Sequence, residues 1–273
     1  MGRNNRMRDR RLLWRVVAPL LVLLLAIGGW LLLSYVLLDT RRRFLLPPPR
    51  DVISKGFLDP AGREEILAGL WSTIQVALAG YGIAIGIGFA LAVAMSQARW
   101  IENSLYPYAV ILQTIPTLAL VPLFGFWLGF NFPSRVTVCV TISLFPLITN
   151  TLFGLKSVGQ DLHDLFTLHH AGRVARLWKL QLPHALPAIF TGLRTSAGLS
   201  VIGAIVGDYF FRRGQAGLGR LLDIYRANLE TEKLFAAVFF AALLGLALFW
   251  SVSWLGRRLT KHWHPAAQPI DSP

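Results

Sequence analysis

Charged side chains are scarce in this sequence. They make up 15% of the 273 residues, whereas a soluble domain carries about 25%. Hydrophobic residues account for 54% of the chain. So few charges among so many apolar side chains exclude an ordinary soluble domain and indicate a protein whose main solvent is lipid.

Cysteine and recognisable catalytic motifs are also nearly absent. Cys139 is the single cysteine, which excludes an intramolecular disulfide and a cysteine-based zinc site. No G-x-x-x-x-G-K-[ST] phosphate loop occurs, so this chain does not hydrolyse ATP by itself. His169 and His170 are adjacent and point about 100° apart on a helix, which disfavours a shared metal. We therefore predict a non-enzymatic chain that binds no metal and no cofactor.

Long apolar runs are what the sequence has in abundance. About 20 helical residues cross the hydrocarbon core of a bilayer, and backbone groups in lipid must bond within their own segment. The runs therefore predict an all-α membrane protein with about six transmembrane helices. Within the second run, Gly82 and Gly86 either admit a close neighbouring helix or are glycines tolerated in a membrane helix. The predicted spans are 16–38, 66–95, 107–128, 136–155, 186–211 and 234–256.

The net charge of +13 comes from basic residues near the ends of these runs. That placement is typical of headgroup contacts in a membrane protein rather than of a nucleic-acid-binding surface. The arginine-rich segment 1–15 predicts a cytoplasmic N-terminus before a retained first helix at 16–38. An external loop at 39–65 and a cytoplasmic tail at 257–273 follow from that orientation.

Prolines interrupt the third and fourth runs. An interior proline removes a backbone donor and kinks a helix, and kinks are tolerated where neighbours or a cavity satisfy the freed carbonyls. This favours a protein with a pathway through it over a simple membrane anchor. The polar residues nearby either line that pathway or bond to neighbouring helices. The candidate pathway residues are Gln113, Thr114, Pro116, Asn150 and Thr151.

The segment 156–185, between the fourth and fifth runs, is too polar to span a membrane and too apolar for a flexible linker. Apolar residues recur at helical spacing over 162–168 and predict a short amphipathic helix. A second short helix is predicted over 174–182, before Pro183. We interpret the segment as a cytoplasmic docking surface. The alternative is a helix that lies flat on the membrane.

Several motifs in fixed order give a family resemblance. Asp164-Leu165-Phe166, His170 and Pro183 stand where permease subunits of ATP-binding-cassette (ABC) importers have Glu-Ala-Ala, a glycine and a proline. The apolar and proline-rich patterns at 112–130 and 145–155, with Gly-Leu-Arg at 192–194 and the glycine-containing stretch 203–208, resemble the nitrate/sulfonate/taurine-type permeases. The resemblance covers about residues 66–256.

This resemblance implies a type I ABC importer permease fold with a five-helix core over 66–256. It implies ABC ATPase subunits that carry ATP and Mg, a second permease copy forming a homodimer, and an extracytoplasmic substrate-binding protein. It also implies a bacterial inner membrane location. The short helix expected after the glycine-rich turn at 214–219 would help to receive the binding protein. The implied ATPase-coupling residues are Asp161, Asp164, Leu165, Phe166, His169, His170, Arg173, Arg176 and Pro183.

Two other functional classes remain open at this point. An ion-gradient-driven secondary transporter is the main alternative, although inverted repeats and a buried proton-relay carboxylate are not evident in the sequence. A membrane-bound scaffold is the third class, and it gives the interior prolines and glycines no obvious use. Substrate identity is not readable, because no central cationic residue marks an anion site in the apolar runs.

Overall fold

The computed structural model describes residues 2–211 and 213–260, and the side chains of 17–39, 41–211 and 213–259. Within these ranges the chain is helical and contains no strand. The predicted tail 257–273 is described only to Thr260, where the last helix ends; the remainder lies outside the described residues. The helices are α1 Gly2–Leu32, α2 Pro49–Asp51, α3 Pro60–Gln97, α4 Arg99–Thr114, α5 Thr117–Leu128, α6 Phe132–Lys156, α7 Gln160–Leu168, α8 Arg173–Arg176, α9 Leu182–Phe210, α10 Leu218–Ala227 and α11 Thr231–Thr260.

Five helical segments in the described part of the chain are long and apolar enough to cross a membrane. A sixth span is present if the bent pair α4–α5 crosses as one unit. This confirms the predicted all-α membrane fold with about six spans. The segments extend past most of the predicted boundaries, because polar residues at helix ends continue the backbone bonding beyond the apolar run. Their bounds are Val17–Leu37, Pro60–Gln97, Phe132–Lys156, Arg173–Phe210 and Thr231–Leu259.

The third span, predicted at 107–128 with kinking prolines, is divided in the structure. The structure has two helices there, α4 and α5, bent by 100° at Ile115 and Pro116. Pro116 has no backbone N–H to donate, and its ring forces the preceding Ile115 into an extended conformation with φ −65° and ψ 129°. Pro107 and Pro122 stay inside their helices. Only one of the three prolines therefore breaks the chain direction.

The prediction of a separate second short helix at 174–182 is also wrong. Helix α8 passes through a π turn, Leu177–Gln181, directly into α9, so that Arg173–Phe210 is one helical run of 38 residues. The π turn lies just before Pro183, whose missing N–H interrupts the α-helical bonding pattern. The turn absorbs this interruption without ending the helix.

Residues 1–64 and 224–236 form one compact unit. The first span is almost entirely uncovered by the rest of the chain, as expected of a helix that faces lipid. Near its end, the Trp30 indole N–H donates to Pro47 O at 3.0 Å and the ring stacks on Phe235. The predicted loop 39–65 is largely folded, since it contains a 3-10 turn at Thr40–Leu45, helix α2 and a π turn at Val52–Phe57.

The second unit contains 65–211, 213–223 and 237–260 of the described residues, and its core is the packed pair of α6 and α9. Small residues let the two backbones approach closely: a Cβ atom at Gly203 would lie 2.7 Å from Cys139 Cα. Helix α3 meets α6 through Gly80 and Gly88. At Gly82 and Gly86 no neighbour lies within 4 Å, so the close approach considered there is not made within the described part of this chain.

Candidate functional site

Helix α7 is the short amphipathic helix expected within 156–185. It is joined to the long helices on both sides by a few residues, and none of its own residues is buried. Its apolar side chains are uncovered: 46% of Leu165 and 77% of Leu168 are accessible, and Leu162 is exposed as well. Phe166 is half-buried, while Asp161 and Asp164 are exposed. An apolar helix face left open in a chain of this kind fits either a protein groove or a membrane surface.

The C-terminal end of α7 is closed by a Schellman motif. His170 N–H donates to Thr167 O, and Ala171 N–H donates to Phe166 O, both at 2.9 Å. His170 occupies the left-handed region with φ 51°, which glycine adopts at the lowest cost. The family glycine therefore falls on a position whose backbone requires that conformation. The neighbouring His169 places Nδ1 2.9 Å from Leu165 O and also closes the helix end.

Among the polar candidates around α7, Asp164 and Arg176 make side-chain hydrogen bonds, whereas Arg173 is exposed to solvent. Asp164 accepts a hydrogen bond from the Gln160 amide at 3.0 Å, one helical turn earlier. Arg176 donates to Thr167 Oγ1 at 3.1 Å and thereby ties the start of the long helical run to α7. Arg173 is exposed on the same turn. Pro183 is half-buried inside the long run and is not part of the exposed surface.

A polar cavity of about 430 Å³ lies beside α7. Its lining combines two arginines, a histidine and hydrogen-bonding side chains from three elements, and the lining residues include no carboxylate. This composition makes the cavity a site of positive potential. The lining residues are Ser96, Gln97, His163, Ala171, Gly172, Arg173, Arg176 and Gln181.

The five candidate pathway residues fall into two groups. Gln113, Thr114 and Pro116 are exposed at the bend between α4 and α5. Thr151, by contrast, is buried at 2% accessibility in α6, and the half-buried Asn150 donates to Pro146 O at 2.8 Å. The Asn150 amide thus bonds within its own helix, close to the interior proline. Of the five, only Gln113, Thr114 and Pro116 are exposed, and a role in solute passage stays a prediction for all of them.

Sequence reasoning missed a buried charged group at the other end of the long helices. Arg135 in α6 and Asp208 in α9 are 3% and 0% accessible, and Arg135 Nη1 lies 3.1 Å from Asp208 Oδ1. Thr73 of α3 donates from Oγ1 to Asp208 Oδ2 at 2.7 Å. We call Thr73, Arg135 and Asp208 the Asp208 cluster. The available signal was a charged residue at the end of each of two apolar runs.

The Asp208 cluster holds the segment that follows α9. The Arg135 guanidinium donates to the carbonyls of Phe211, Arg213 and Gln215 at 3.2, 2.6 and 2.8 Å. Leu218 N–H, at the start of α10, donates to Thr73 Oγ1 at 2.8 Å. The glycine-rich turn predicted at 214–219 is shorter than expected, because α10 already begins at Leu218. Buried charges of this kind are tolerated only when paired and hydrogen-bonded.

The fold and α7 together define a polytopic membrane protein with an exposed short amphipathic helix between two of its spans. Residues 82–261 match the family described as binding-protein-dependent transport system inner membrane component, and the chain belongs to this family. The match confirms the resemblance to permeases of the nitrate/sulfonate/taurine type. The chain is therefore an ABC transporter permease subunit, a multi-pass component of the inner membrane.

Three relatives illustrate the range of the family. A formylaminopyrimidine transport permease protein of Halalkalibacterium halodurans is 31% identical over 76% of this chain and 81% of its own length. A riboflavin transport system permease protein of Chloroflexus aurantiacus is 31% identical over 92% of both chains. A taurine transport system permease protein of Escherichia coli is 28% identical over 97% of this chain and 98% of its own.

Proposed function

We propose that this chain is the permease subunit of an ATP-driven importer. It moves a small solute, delivered by an external binding protein, into the cytoplasm by alternating access. Two copies of the chain form the membrane part, and two ATPase subunits that carry ATP and Mg bind its cytoplasmic side. Both termini and α7 then lie in the cytoplasm. The observation that carries this proposal is the amphipathic helix α7, whose apolar side chains are uncovered, between the packed helices α6 and α9.

The ATPase contact has two chemically distinct parts. Leu165 and Leu168 present apolar surface that is costly to leave in water, and a groove on the ATPase would cover it. The positive cavity beside α7 would accept acidic side chains near that groove, with the exposed Arg173 able to turn toward them. Asp161 and Asp164 lie on the exposed surface of the same helix and face the partner.

Closure of the ATPase dimer would push α7 and move the helices attached to it. Helices α6 and α9 carry α7 between them, so a push on α7 reaches both. Gln113, Thr114 and Pro116, exposed at the bend of α4 and α5, would line part of the pathway. The solute belongs to the range of the relatives' named substrates, such as taurine, sulfonates, bicarbonate, riboflavin or a formylaminopyrimidine.

A charge placed on α7 tests this function. Leu165→Asp is exposed enough to leave the fold intact, and we expect it to abolish co-purification of a P-loop ATPase and ATP-driven solute uptake in proteoliposomes. Leu58→Asp, at an exposed leucine in the N-terminal unit, is the matched control and retains ATPase binding. Uptake by the chain alone, driven by an ion gradient, would instead support the secondary transporter.

A further inference from the structure

The α6–α9 pair is in contact along most of its length. Near α7, a Cβ atom at Gly154 would lie 3.0 Å from Ala185 Cβ. Midway, Ser196 Oγ donates to Ser143 O at 2.7 Å. At the far end, a Cβ atom at Gly207 would lie 3.0 Å from Arg135 Cα. Helices packed this closely do not slide past each other without opening voids, so the pair moves as one body.

The far end of this body is the Asp208 cluster. The run Arg173–Phe210 extends about 57 Å at 1.5 Å per residue, which separates the cluster from α7 by the thickness of a membrane. There, Arg135 on α6 donates to the carbonyls of Phe211, Arg213 and Gln215. Asp208 on α9 packs against Gly217, where a side chain would overlap its carboxylate. Movement of the pair must therefore displace this segment.

Thr73 is the side chain of α3 that joins this arrangement. Its hydroxyl donates to Asp208 on the pair and accepts from Leu218 N–H on the following segment. One buried hydroxyl thus fixes α3, the pair and the start of α10 relative to one another. A valine side chain would fill the same space without a hydroxyl. Packing alone therefore does not account for the two hydrogen bonds that Thr73 makes.

We propose that Thr73, Arg135 and Asp208 are positioning residues that pass the movement of the α6–α9 pair to the segment 211–218. The proposal rests on the function proposed above, because that function supplies the movement. The segment thereby changes its exposure in step with the nucleotide state of the ATPase. The cluster binds no solute and contacts no ATPase; it acts through the backbone of 211–218.

The test compares Thr73→Val with Thr73→Ser in the complete complex of permease, ATPase and binding protein. Valine keeps the shape and removes both hydrogen bonds, whereas serine keeps the hydroxyl. We expect Thr73→Val to assemble and hydrolyse ATP but to move about tenfold less solute per ATP, the scale of one unmade buried hydrogen bond to a charged group. Thr73→Ser stays close to the parent protein.

A labelling experiment measures directly how exposed the segment after α9 is. Gln215→Cys provides an exposed thiol for maleimide, and the buried Cys139 is the unreactive background. We expect the labelling rate to differ between nucleotide-free and ATP-trapped complexes, both in the parent protein and in Thr73→Ser, and this difference to vanish in Thr73→Val. Labelling that still depends on nucleotide in Thr73→Val would overturn the inference and leave the importer function intact. Loss of assembly in Thr73→Val but not in Thr73→Ser would assign the hydroxyl a purely structural role and also overturn the inference.

The two proposals fail in different ways. If the importer function is wrong, the parent complex itself shows neither ATP-driven uptake nor nucleotide-dependent labelling of Gln215→Cys. If only the positioning inference is wrong, the parent complex shows both, and Thr73→Val matches it.

Discussion

The two ends of the α6–α9 pair differ in how far their apolar side chains and ion pairs are exposed. At the α7 end, apolar side chains face outward and the ion pair between Lys156 and Glu102 is partly exposed at 2.7 Å. At the Asp208 end, the ion pair is buried and surrounded by backbone carbonyls, and the segment that follows is held by four hydrogen bonds to Arg135 and Thr73. One end leaves apolar surface open to a partner, and the other is held together by contacts within the chain.

This difference matches a division of roles along one rigid body. An end that docks to a separate protein must stay separable, so its groups remain solvated or apolar until the partner arrives. An end that has to move a defined segment benefits from groups that hold their geometry, and buried hydrogen-bonded charges do so because each broken contact is costly. Under the two proposals, the α6–α9 pair would receive movement from the ATPase at the α7 end and pass it to the segment after α9 at the other end.

The largest expected effect comes from unpairing the buried charge. Arg135→Met leaves Asp208 buried without its cation and should lower the free energy of unfolding by about 3–5 kcal/mol. Lys156→Met, at the opposite end of α6, is the matched control and should cost less than about 1 kcal/mol, because its side chain is 48% accessible and solvent screens the pair. Unfolding titrations in mixed micelles measure both values.

If Arg135→Met and Lys156→Met lowered the free energy of unfolding equally, the buried and the exposed ion pair would not differ in their contribution to stability. The double variant Arg135→Met with Asp208→Leu sharpens this comparison further. Removing both charges should recover part of the lost stability, since a matched apolar pair avoids the desolvation cost. Recovery stays partial, because the carbonyls of Phe211, Arg213 and Gln215 lose their donor.

Overpacking the contact between α6 and α9 should have an intermediate effect on stability. Gly203→Ala places a methyl group 2.7 Å from Cys139 Cα and should destabilise the protein by about 1–3 kcal/mol through overpacking. Gly198→Ala, five residues earlier on the same helix, has open space within 4 Å and should be neutral or slightly stabilising. Thermal unfolding of the purified variants separates the two. A harmless Gly203→Ala would mean that α6 and α9 separate easily and do not move as one body.

Hydropathy and helical periodicity were enough to predict the spans and helix α7. Both signals are local: a run of apolar residues is visible without knowledge of its neighbours, and so is the spacing over 162–168. Kinks at the interior prolines were predicted, but not that Pro116 alone bends the third span by 100°. Three prolines lie in the third run, and sequence gives no reason why one redirects the chain while Pro107 and Pro122 remain helical.

The Asp208 cluster could not be predicted from the sequence for a different reason. Thr73 and Asp208 are 135 residues apart, and their contact depends on how three helices pack, which a single sequence does not reveal. The second helix expected at 174–182 failed because Pro183 is usually a stop signal, whereas here a π turn carries the helix through it. Long-range pairing and turn geometry are therefore what the structure adds.

The smallest expected effect concerns the closing turn of α7. His170→Gly relieves a left-handed backbone conformation and should stabilise the protein by up to about 1 kcal/mol, after the entropy cost of glycine is subtracted. His169→Gly, one residue earlier with φ −85°, gains no such relief and should be destabilising. Hydrogen exchange at the amides of α7 measures both changes. A stabilised α7 should bind the ATPase more tightly if the helix becomes ordered only on the partner, so unchanged affinity in His170→Gly would indicate that α7 docks as a preformed element.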